Sequence, residues 1–163
     1  MRTQSFAFGE AMSCLKSLDL IDPLNSYVRE QGKPYLGICV GAQIVGRSSE
    51  EFGFHRGLGW VDAFVKQLPN DDPMIRIPHT GWDDVYFDIN CPLFNGIAEG
   101  SLFYYNHTYA LYAEDNNVVI GTSDYAGGFH SALKIENVYA TLFHPEKSQR
   151  AGLKMIQNFI NFS

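Results

Sequence analysis

The sequence lacks several features that would mark whole classes of protein. No run of apolar residues approaches the roughly 20 that a membrane-spanning helix needs, so no such helix is predicted. Lysine and arginine number 12 against 18 aspartate and glutamate residues, a formal charge of -6, and no basic cluster stands out. Because nucleic acids and anionic membranes attract positive surfaces, neither is expected as the main partner.

Cysteine is also scarce. The three cysteines are odd in number and irregularly spaced, which argues against a disulfide framework and fits a reducing cytoplasm. Cysteines and histidines do not occur at metal-ligand spacing, so no metal site is predicted. The opening MRTQSFAFGEAM lacks the long apolar core of a signal peptide, in agreement with a cytoplasmic location.

What is present indicates one folded domain over residues 1–163. Apolar residues make up 45% of the chain and charged residues 18%, as in ordinary globular proteins. No internal repeat, low-complexity tract or linker divides the sequence, and its length suffices for a substantial core.

Helical patterns lie at the two ends of the chain, and short strand patterns lie between them. We predict helices over 9–18, 23–30, 41–52 and 147–162. We predict strands over 34–38, 60–68, 74–77, 83–87, 101–112, 118–122, 129–135 and 138–143. The helices are expected to bury the apolar residues Met12, Leu15, Leu18, Leu24, Tyr27, Val28, Leu153, Ile156 and Ile160. This order predicts an α/β fold with helices on the faces of a mixed sheet.

The segment Gly37-Ile38-Cys39-Val40-Gly41 is a G-x-C-x-G motif between a predicted buried strand and a predicted helix. It resembles a nucleophile elbow, a sharp strained turn that exposes the nucleophile at the carboxyl end of a sheet. The helix dipole should stabilise a thiolate at Cys39, and the backbone N–H of Val40 can face an oxyanion. The alternative for Cys39 is a buried structural cysteine beside a glycine turn. A structural role is the interpretation favoured for Cys14, which lies inside a predicted helix, and for Cys91, which lies beside a proline turn.

The segment His144-Pro145-Glu146 directly follows a predicted strand. A cysteine hydrolase needs a base for the thiol proton and a group that orients the base, and His and Glu at one strand end can supply both. The alternative is an ordinary surface turn. Four other histidines compete for the base role: His55, His79, His107 and His130. Glycine-rich surroundings predict that His55 and His130 face solvent.

Six segments together resemble a known family. GKPYLGICVGAQ, SSEEFG, GLGW, IPHTGW, YYNHTY and LFHPEKS occur in the order seen in class I, triad-type glutamine amidotransferases. More narrowly, IPHTGW and HPEKS resemble the glutaminase subunit of imidazole glycerol phosphate synthase, an enzyme of histidine biosynthesis. The resemblance runs from about Phe8 to the C-terminus. It implies a flavodoxin-like three-layer α/β fold with a mixed central sheet.

The resemblance also implies a reaction, and this reaction needs no cofactor. Cys39 would attack the side-chain amide of glutamine, form a glutamyl thioester and release ammonia, with His144 as acid and base and Glu146 as its orienter. The residues that would hold the glutamine are Gln43, Glu51, Thr108 and Tyr109. From the sequence alone, Gln43 and Glu51 could equally belong to a solvated helix face.

In the family, ammonia passes to the (βα)₈ barrel of a separate cyclase subunit within a heterodimer. Trp82, Tyr104 and Lys147 match positions near the interface with that barrel. Core packing is the alternative for the two aromatic residues. The glycine before Trp82 makes an exposed, partner-facing indole plausible.

The start of the chain departs from the family pattern. Family members begin with a strand, a helix and a strand that ends in a P-G-V-G-like turn, and Thr3–Phe6 stand where that turn would lie. Phe6 in place of a glycine would resist positive φ near the oxyanion hole. We therefore expect the first strand-helix-strand to be missing. A misassigned start codon, a shortened chain and a degenerate gene copy all remain open, and the complete downstream site favours the first two.

Three further positions depart from the pattern: Asp83 where the family usually has Asn, Asn106 where it is apolar, and Leu142 where it has Gln. An ionised Asp only accepts hydrogen bonds, whereas Asn also donates. These departures suggest a paralogue that serves a surface-sugar pathway as one alternative function. A non-catalytic, partner-binding subunit is another.

Overall fold

The computed structural model describes residues 7–162, and short strands fill the middle of this part. Within it the strands are β1 (Tyr35–Ile38), β2 (Ser48–Ser49), β3 (His55–Arg56), β4 (Ala63–Gln67), β5 (His79–Asp84), β6 (Tyr86–Phe87), β7 (Leu102–His107), β8 (Tyr109–Ala113), β9 (Val119–Ser123), β10 (Phe129–Ile135) and β11 (Val138–Thr141).

Nine of these described strands form one mixed sheet. Its main path runs β1-β11-β10-β8-β4-β2-β3, and β9 pairs with both β10 and β6. The contacts β1–β11 and β2–β4 are parallel, and the other pairs of this sheet are antiparallel. Strands β5 and β7 form a separate antiparallel pair.

Helices cover both faces of the sheet. Those described are α1 (Phe8–Ser17), α2 (Ile21–Asn25), which continues as a π-helical turn (Ser26–Glu30), α3 (Val40–Gln43) and α4 (Gln149–Phe162). Short 3₁₀ turns lie at Pro92–Phe94, Asn116–Val118, Tyr125–Gly127 and Pro145–Lys147. None of the helices in residues 7–162 is long and apolar enough to cross a membrane.

Two hydrophobic cores lie on opposite faces of the sheet, because successive side chains of a strand point to opposite sides. In β11, Val138 and Ala140 belong to the core that contains Phe8 of α1. Tyr139 belongs to the other core, which contains Met155 of α4. The three-layer α/β architecture with a mixed sheet is therefore confirmed.

The predicted helix over 41–52 was wrong, since α3 ends at Gln43. The carbonyl of Ile44 accepts from Leu58 N–H, and that of Val45 accepts from the N–H groups of Trp60 and Val61. These carbonyls bond to a distant loop and cannot bond to residues four positions ahead, as a helix requires. The same bonds hold residues 60–62 out of the predicted strand, so β4 begins at Ala63.

The buried face of α4 also differs from the prediction. Leu153 and Ile160 are exposed, whereas Gly152, Met155 and Asn158 are buried. A Cβ on Gly152 would lie 1.9 Å from the Pro145 carbonyl oxygen, so this close approach sets the rotation of the helix. Asn158 on the same face donates to the carbonyls of Leu93 and Asn95.

Several smaller predictions need correction. Leu18 and Tyr27 are exposed, although Val28 of the same segment is buried as predicted. Residues 74–77 form a turn and no strand: Ile75 N–H bonds to Asp72, and Arg76 exchanges backbone bonds with the Tyr125 hydroxyl. The strand predicted over 83–87 begins earlier, as β5, and breaks before β6. The strand predicted over 101–112 divides into β7 and β8 at Thr108.

Strand β1 was predicted to be fully buried, but only Gly37 in it is buried. Among residues 7–162, β1 pairs with β11 alone, so no described strand covers its other edge. The family comparison at Thr3–Phe6 concerns residues that lie outside the described part of the chain.

The orientation of α4 gives a direct prediction. Met155→Ala removes a fully buried side chain and should lower the free energy of unfolding by about 2–5 kcal/mol. Leu153→Ala, two positions away on the exposed face, should change it by less than about 0.5 kcal/mol. Urea unfolding of both variants measures this, and equal losses would contradict the orientation.

Candidate active site

Cys39 occupies a strained turn at the carboxyl end of β1. Its backbone has φ 52° and ψ −111°, a conformation that costs a non-glycine residue about 1–3 kcal/mol. The turn brings the Gly41 carbonyl so close to Gly37 that a Cβ on Gly37 would lie 2.4 Å from its oxygen. The Tyr35 hydroxyl donates to the same carbonyl over 2.9 Å, and burial raises the pKa of Tyr35 to about 12. The expected nucleophile-elbow geometry is therefore present.

The parallel pairing of β1 with β11 places Cys39 next to the segment that carries His144. Ile38 pairs with Thr141, and the Cys39 N–H continues the ladder by donating to the Thr141 carbonyl over 2.9 Å. His144 follows three residues later, at the same end of the sheet. Residues about 100 positions apart in sequence thus reach one site.

His144 and Glu146 form a close pair. The ring nitrogen Nδ1 of His144 lies 2.7 Å from Oε1 of Glu146. A carboxylate accepts hydrogen bonds only, so Nδ1 carries the proton and Nε2 is left as the basic nitrogen of the neutral ring. The backbone also fixes His144: its N–H donates to the Tyr104 carbonyl, and its own carbonyl accepts from Ser148 Oγ.

A cavity of about 340 Å³ opens beside Cys39. It is lined by Ala7, Cys39, Val40, Gln43, Glu51, Phe52, Pro78, Asn106, His107, Thr108 and Tyr109. All the residues predicted to hold a substrate therefore meet at one cavity with the predicted nucleophile. A small polar molecule bound there would lie against the thiol and the N–H groups of the elbow.

Hydrogen bonds position the polar residues of this cavity. The Gln43 amide donates to the Tyr109 carbonyl over 2.9 Å, so the buried Gln43 does not belong to a solvated helix face. Glu51 accepts the Phe8 N–H at the start of α1 over 2.7 Å. The Thr108 carbonyl accepts from Leu68 N–H, which holds the β7–β8 corner at the cavity.

The thiol of Cys39 is not activated by its surroundings alone. Burial raises its pKa, and this effect exceeds the lowering by the Val40 N–H. The charge of Glu146 also raises the pKa, whereas Lys147 lowers it. The expected stabilisation of the thiolate at the start of α3 is present, since the Val40 N–H lowers the pKa, but burial has the larger effect. A neighbouring base is needed to remove the proton.

Trp82, Tyr104 and Lys147 form a cluster on the surface next to His144, which we call the Trp82 face. The rings of Trp82 and Tyr104 meet edge to face at 5.8 Å, and Lys147 Nζ lies 5.7 Å from the centre of the Tyr104 ring. Trp82 is exposed, so core packing does not account for it. Tyr104 pairs with His144 through the backbone, which joins this face directly to the site.

Two histidines near the cavity were not assigned a role from the sequence. His79 and His107 are buried and face each other across β5 and β7, with 3.1 Å between His79 Nδ1 and His107 Nε2. Both lie in the quoted motifs, but only the strand register reveals their contact. His55 and His130, predicted to face solvent, are half-buried. Cys14 is exposed, and Cys91 is buried.

The three departures from the family pattern fall at different places. The carboxylate oxygen Oδ2 of Asp83 lies 3.3 Å from Nε2 of His79. Asn106 lines the cavity and accepts a hydrogen bond from the Thr80 hydroxyl. Leu142 is fully buried in the core beside α4. In residues 7–162, no group of three or more His, Cys, Asp and Glu side chains is arranged to hold a metal ion.

The two glycines of the elbow provide matched variants. Gly37→Ala places a methyl group against the Gly41 carbonyl and should destabilise the chain by about 1–3 kcal/mol while slowing alkylation of Cys39. Gly41→Ala places its methyl group 3.7 Å from the Tyr35 hydroxyl, an ordinary contact, and should be tolerated. Denaturant unfolding and iodoacetamide labelling test this. Equal tolerance of the two variants would contradict the geometry.

The charges near Cys39 predict that two single variants shift the pKa of its thiol in opposite directions. Glu146→Gln removes an anion that disfavours the thiolate, so the pKa of Cys39 should fall. Lys147→Gln removes a cation that favours the thiolate, so the pKa should rise. The pH dependence of the Cys39 alkylation rate measures both. Shifts in the same direction would contradict the arrangement.

Comparison with known proteins gives a consistent result. The model of the family "Glutamine amidotransferase class-I" matches residues 19–162. Imidazole glycerol phosphate synthase subunit HisH of Aquifex aeolicus (strain VF5) is 42% identical over 153 residues, which cover 94% of this chain and 72% of that protein. Subunit HisH 2 of Methanococcus maripaludis is 40% identical over 154 residues, which cover 94% of this chain and 75% of that protein.

Solved structures share the fold. A putative GMP synthase protein from Thermoplasma acidophilum superposes with a TM-score of 0.63 at 23% identity, covering 90% of this chain and 65% of that one. A glutamine amidotransferase from Thermotoga maritima gives a TM-score of 0.57 at 17% identity, covering 99% of this chain and 59% of that one. The sequence matches together show that the chain belongs to the class-I glutamine amidotransferases and, within them, to the HisH subunits of imidazole glycerol phosphate synthase.

Proposed function

We propose that the chain is a glutaminase subunit, which hydrolyses glutamine to glutamate and ammonia through a thioester on Cys39. The observation that carries the proposal is the strained elbow of Cys39 beside a polar cavity, with the His144–Glu146 pair at the end of the neighbouring strand. The HisH relatives support the same activity.

The chemistry follows from the positions of these groups. His144 Nε2 takes the thiol proton, and the sulfur attacks the amide carbon of the glutamine side chain. The N–H of Val40 stabilises the oxyanion that forms. His144 then returns the proton to the leaving ammonia, and water hydrolyses the thioester. Glu146 holds the ring in the required tautomer and stabilises its charged form.

Substrate recognition is assigned to the polar walls of the cavity. The Glu51 carboxylate offers an anionic partner for the α-ammonium group of glutamine. Gln43, Thr108 and Tyr109 surround the same space and offer amide, hydroxyl and carbonyl groups. A neutral side-chain amide fits a site whose nucleophile is half-buried and has a pKa raised by burial.

The partner is proposed to be a cyclase subunit with a (βα)₈ barrel, which binds the Trp82 face as a heterodimer and receives the ammonia. An exposed Trp packed on a half-buried Tyr is typical of interface anchors, in which these two residue types are enriched. The HisH relatives are themselves named as subunits of a synthase, which favours histidine biosynthesis over the surface-sugar alternative. Three cysteines, none in a disulfide, support a cytoplasmic setting.

Glutamine turnover in the presence of the cyclase tests the proposal. Cys39→Ala should abolish ammonia release, because no other group lies at the elbow to form the thioester. A glutamine-like diazo ketone should label each protein molecule once, and the label should lie on Cys39. Cys14→Ala, which removes the exposed cysteine of α1, is the control and should keep full turnover.

Two results would contradict the proposal. One is full turnover by Cys39→Ala. The other is a wild-type chain that binds the cyclase yet neither releases ammonia nor takes the label, which would support the partner-binding alternative.

A further inference from the structure

Four groups lie in a line from Asp83 of β5 to the glutamine cavity. Asp83 Oδ2 is 3.3 Å from His79 Nε2, and His79 Nδ1 is 3.1 Å from His107 Nε2. His107 Nδ1 is 3.0 Å from the Tyr109 carbonyl oxygen. The line therefore starts at Asp83, which follows Trp82 in β5, and ends on a residue that lines the cavity.

The middle of this line is enclosed by aromatic rings. His79 stacks on Tyr125 with 3.8 Å between ring centres and on Tyr105 with 4.7 Å, and both histidines are buried. The titratable groups that face His79 are thus Asp83, His107 and the two phenols. Burial raises the pKa of Tyr105 well above its ordinary value, so its phenol stays neutral. The Asp83 end is partly open, with 35% of its side chain exposed.

Counting protons shows that the line is unusual. Three contacts need three protons if each is to be a hydrogen bond. Both ends, a carboxylate and a carbonyl, are acceptors and supply none. Two neutral imidazoles supply one proton each, so the line is one proton short. Either it binds an additional proton or one contact places two lone pairs against each other.

We infer that Asp83, His79 and His107 form a proton-binding chain, in which one additional proton on His79 joins Asp83 to the hydrogen bonds that run through His107 to the Tyr109 carbonyl. Within this chain, His107 positions the Tyr109 carbonyl at the glutamine cavity. In this chain His107 carries its proton on Nδ1 and donates it to Tyr109, and His79 donates to both His107 and Asp83. The role at the cavity rests on the proposed glutaminase function, whereas the proton count does not.

The pKa values of the two imidazole rings decide at which pH the proton-binding chain holds its additional proton. Burial lowers the pKa of His79 more than the Asp83 charge raises it. Burial and the neighbouring His79 and His144 lower the pKa of His107 to about 3, so the additional proton resides on His79. His79 therefore takes up the proton on acidification below its ordinary pKa and releases it as the pH rises. When it is released, the long contact to the half-exposed Asp83 is the one that opens.

The Tyr109 end carries the functional consequence. Its carbonyl accepts from both His107 and Gln43, so the two donors together fix this wall of the cavity. His107 is thus a positioning residue, which acts through Tyr109 and Gln43.

Nitrogen-15 NMR of the full chain labelled at histidine tests the proton count without any need for turnover. His107 should be the Nδ1–H tautomer, and His79 should gain its second ring proton on acidification. Asp83→Asn, whose amide can donate to a neutral His79, should lower the midpoint of this titration by about one pH unit or more. Asp84→Asn, which removes the same charge one position along β5, should shift it much less.

Glutamine kinetics with the cyclase test the positioning role. His107→Phe keeps the ring and loses both hydrogen bonds, and it should raise the KM for glutamine by about twofold to tenfold with a smaller change in kcat. His130→Phe is the matched control, since His130 is a half-buried histidine that bonds to Ala113 N–H away from the cavity, and its KM should stay unchanged.

The outcomes separate the two proposals. A His107 ring protonated at Nε2, or a His79 titration that Asp83→Asn leaves unchanged, overturns the proton-binding chain whatever the enzyme does. An unchanged KM in His107→Phe overturns the positioning role. A wild-type chain without turnover, but with the expected NMR response, overturns the glutaminase proposal and leaves the proton-binding chain standing.

Discussion

Parallel pairing between β1 and β11 is the constraint on which the site depends. The register from Tyr35–Val138 to Ile38–Thr141 continues as the hydrogen bond from Cys39 to Thr141. A shift of one residue would turn every side chain of β1 to the opposite face and would separate the elbow from the segment that carries His144. Since side chains of both cores lie along β11, burial of apolar surface fixes this register.

The elbow converts that register into a reactive geometry. Cys39 holds an unfavourable backbone conformation because the absence of a side chain at Gly37 lets the Gly41 carbonyl approach. The Tyr35 hydroxyl secures the same carbonyl from the other side of the turn. Burial raises the pKa of the thiol, so the proposed chemistry assigns removal of the thiol proton to the His144–Glu146 pair.

The small β5–β7 sheet joins the functional surfaces. Strand β7 bonds to His144 through the Tyr104 backbone and ends at His107 on the cavity. Strand β5 carries Trp82 to the surface and places His79 and Asp83 in line with His107. A partner bound at Trp82 would therefore contact the same two strands that position the base and one wall of the cavity. In the proposed assembly, the β5–β7 pair would link the partner surface to the glutamine cavity.

Local chemistry made much of this predictable. The G-x-C-x-G segment indicates an elbow because only small residues permit the close approach, and His144-Pro145-Glu146 places a base and its orienter two residues apart. Strands β10 and β11 follow from their apolar patterns. Where the prediction failed, long-range contacts decided the outcome. The chain leaves α3 because the carbonyls of Ile44 and Val45 bond to residues 58–61.

The sequence by itself therefore determined the α/β class and the nucleophile's turn, because both depend on local spacing and residue type. The residues that hold the substrate were identified only through the resemblance of the sequence to a family. The tertiary structure alone decided which face of α4 is buried, how far Cys39 is desolvated and how Asp83, His79 and His107 align. Each of these depends on the register and packing of segments distant in sequence, for which spacing along the chain carries no signal.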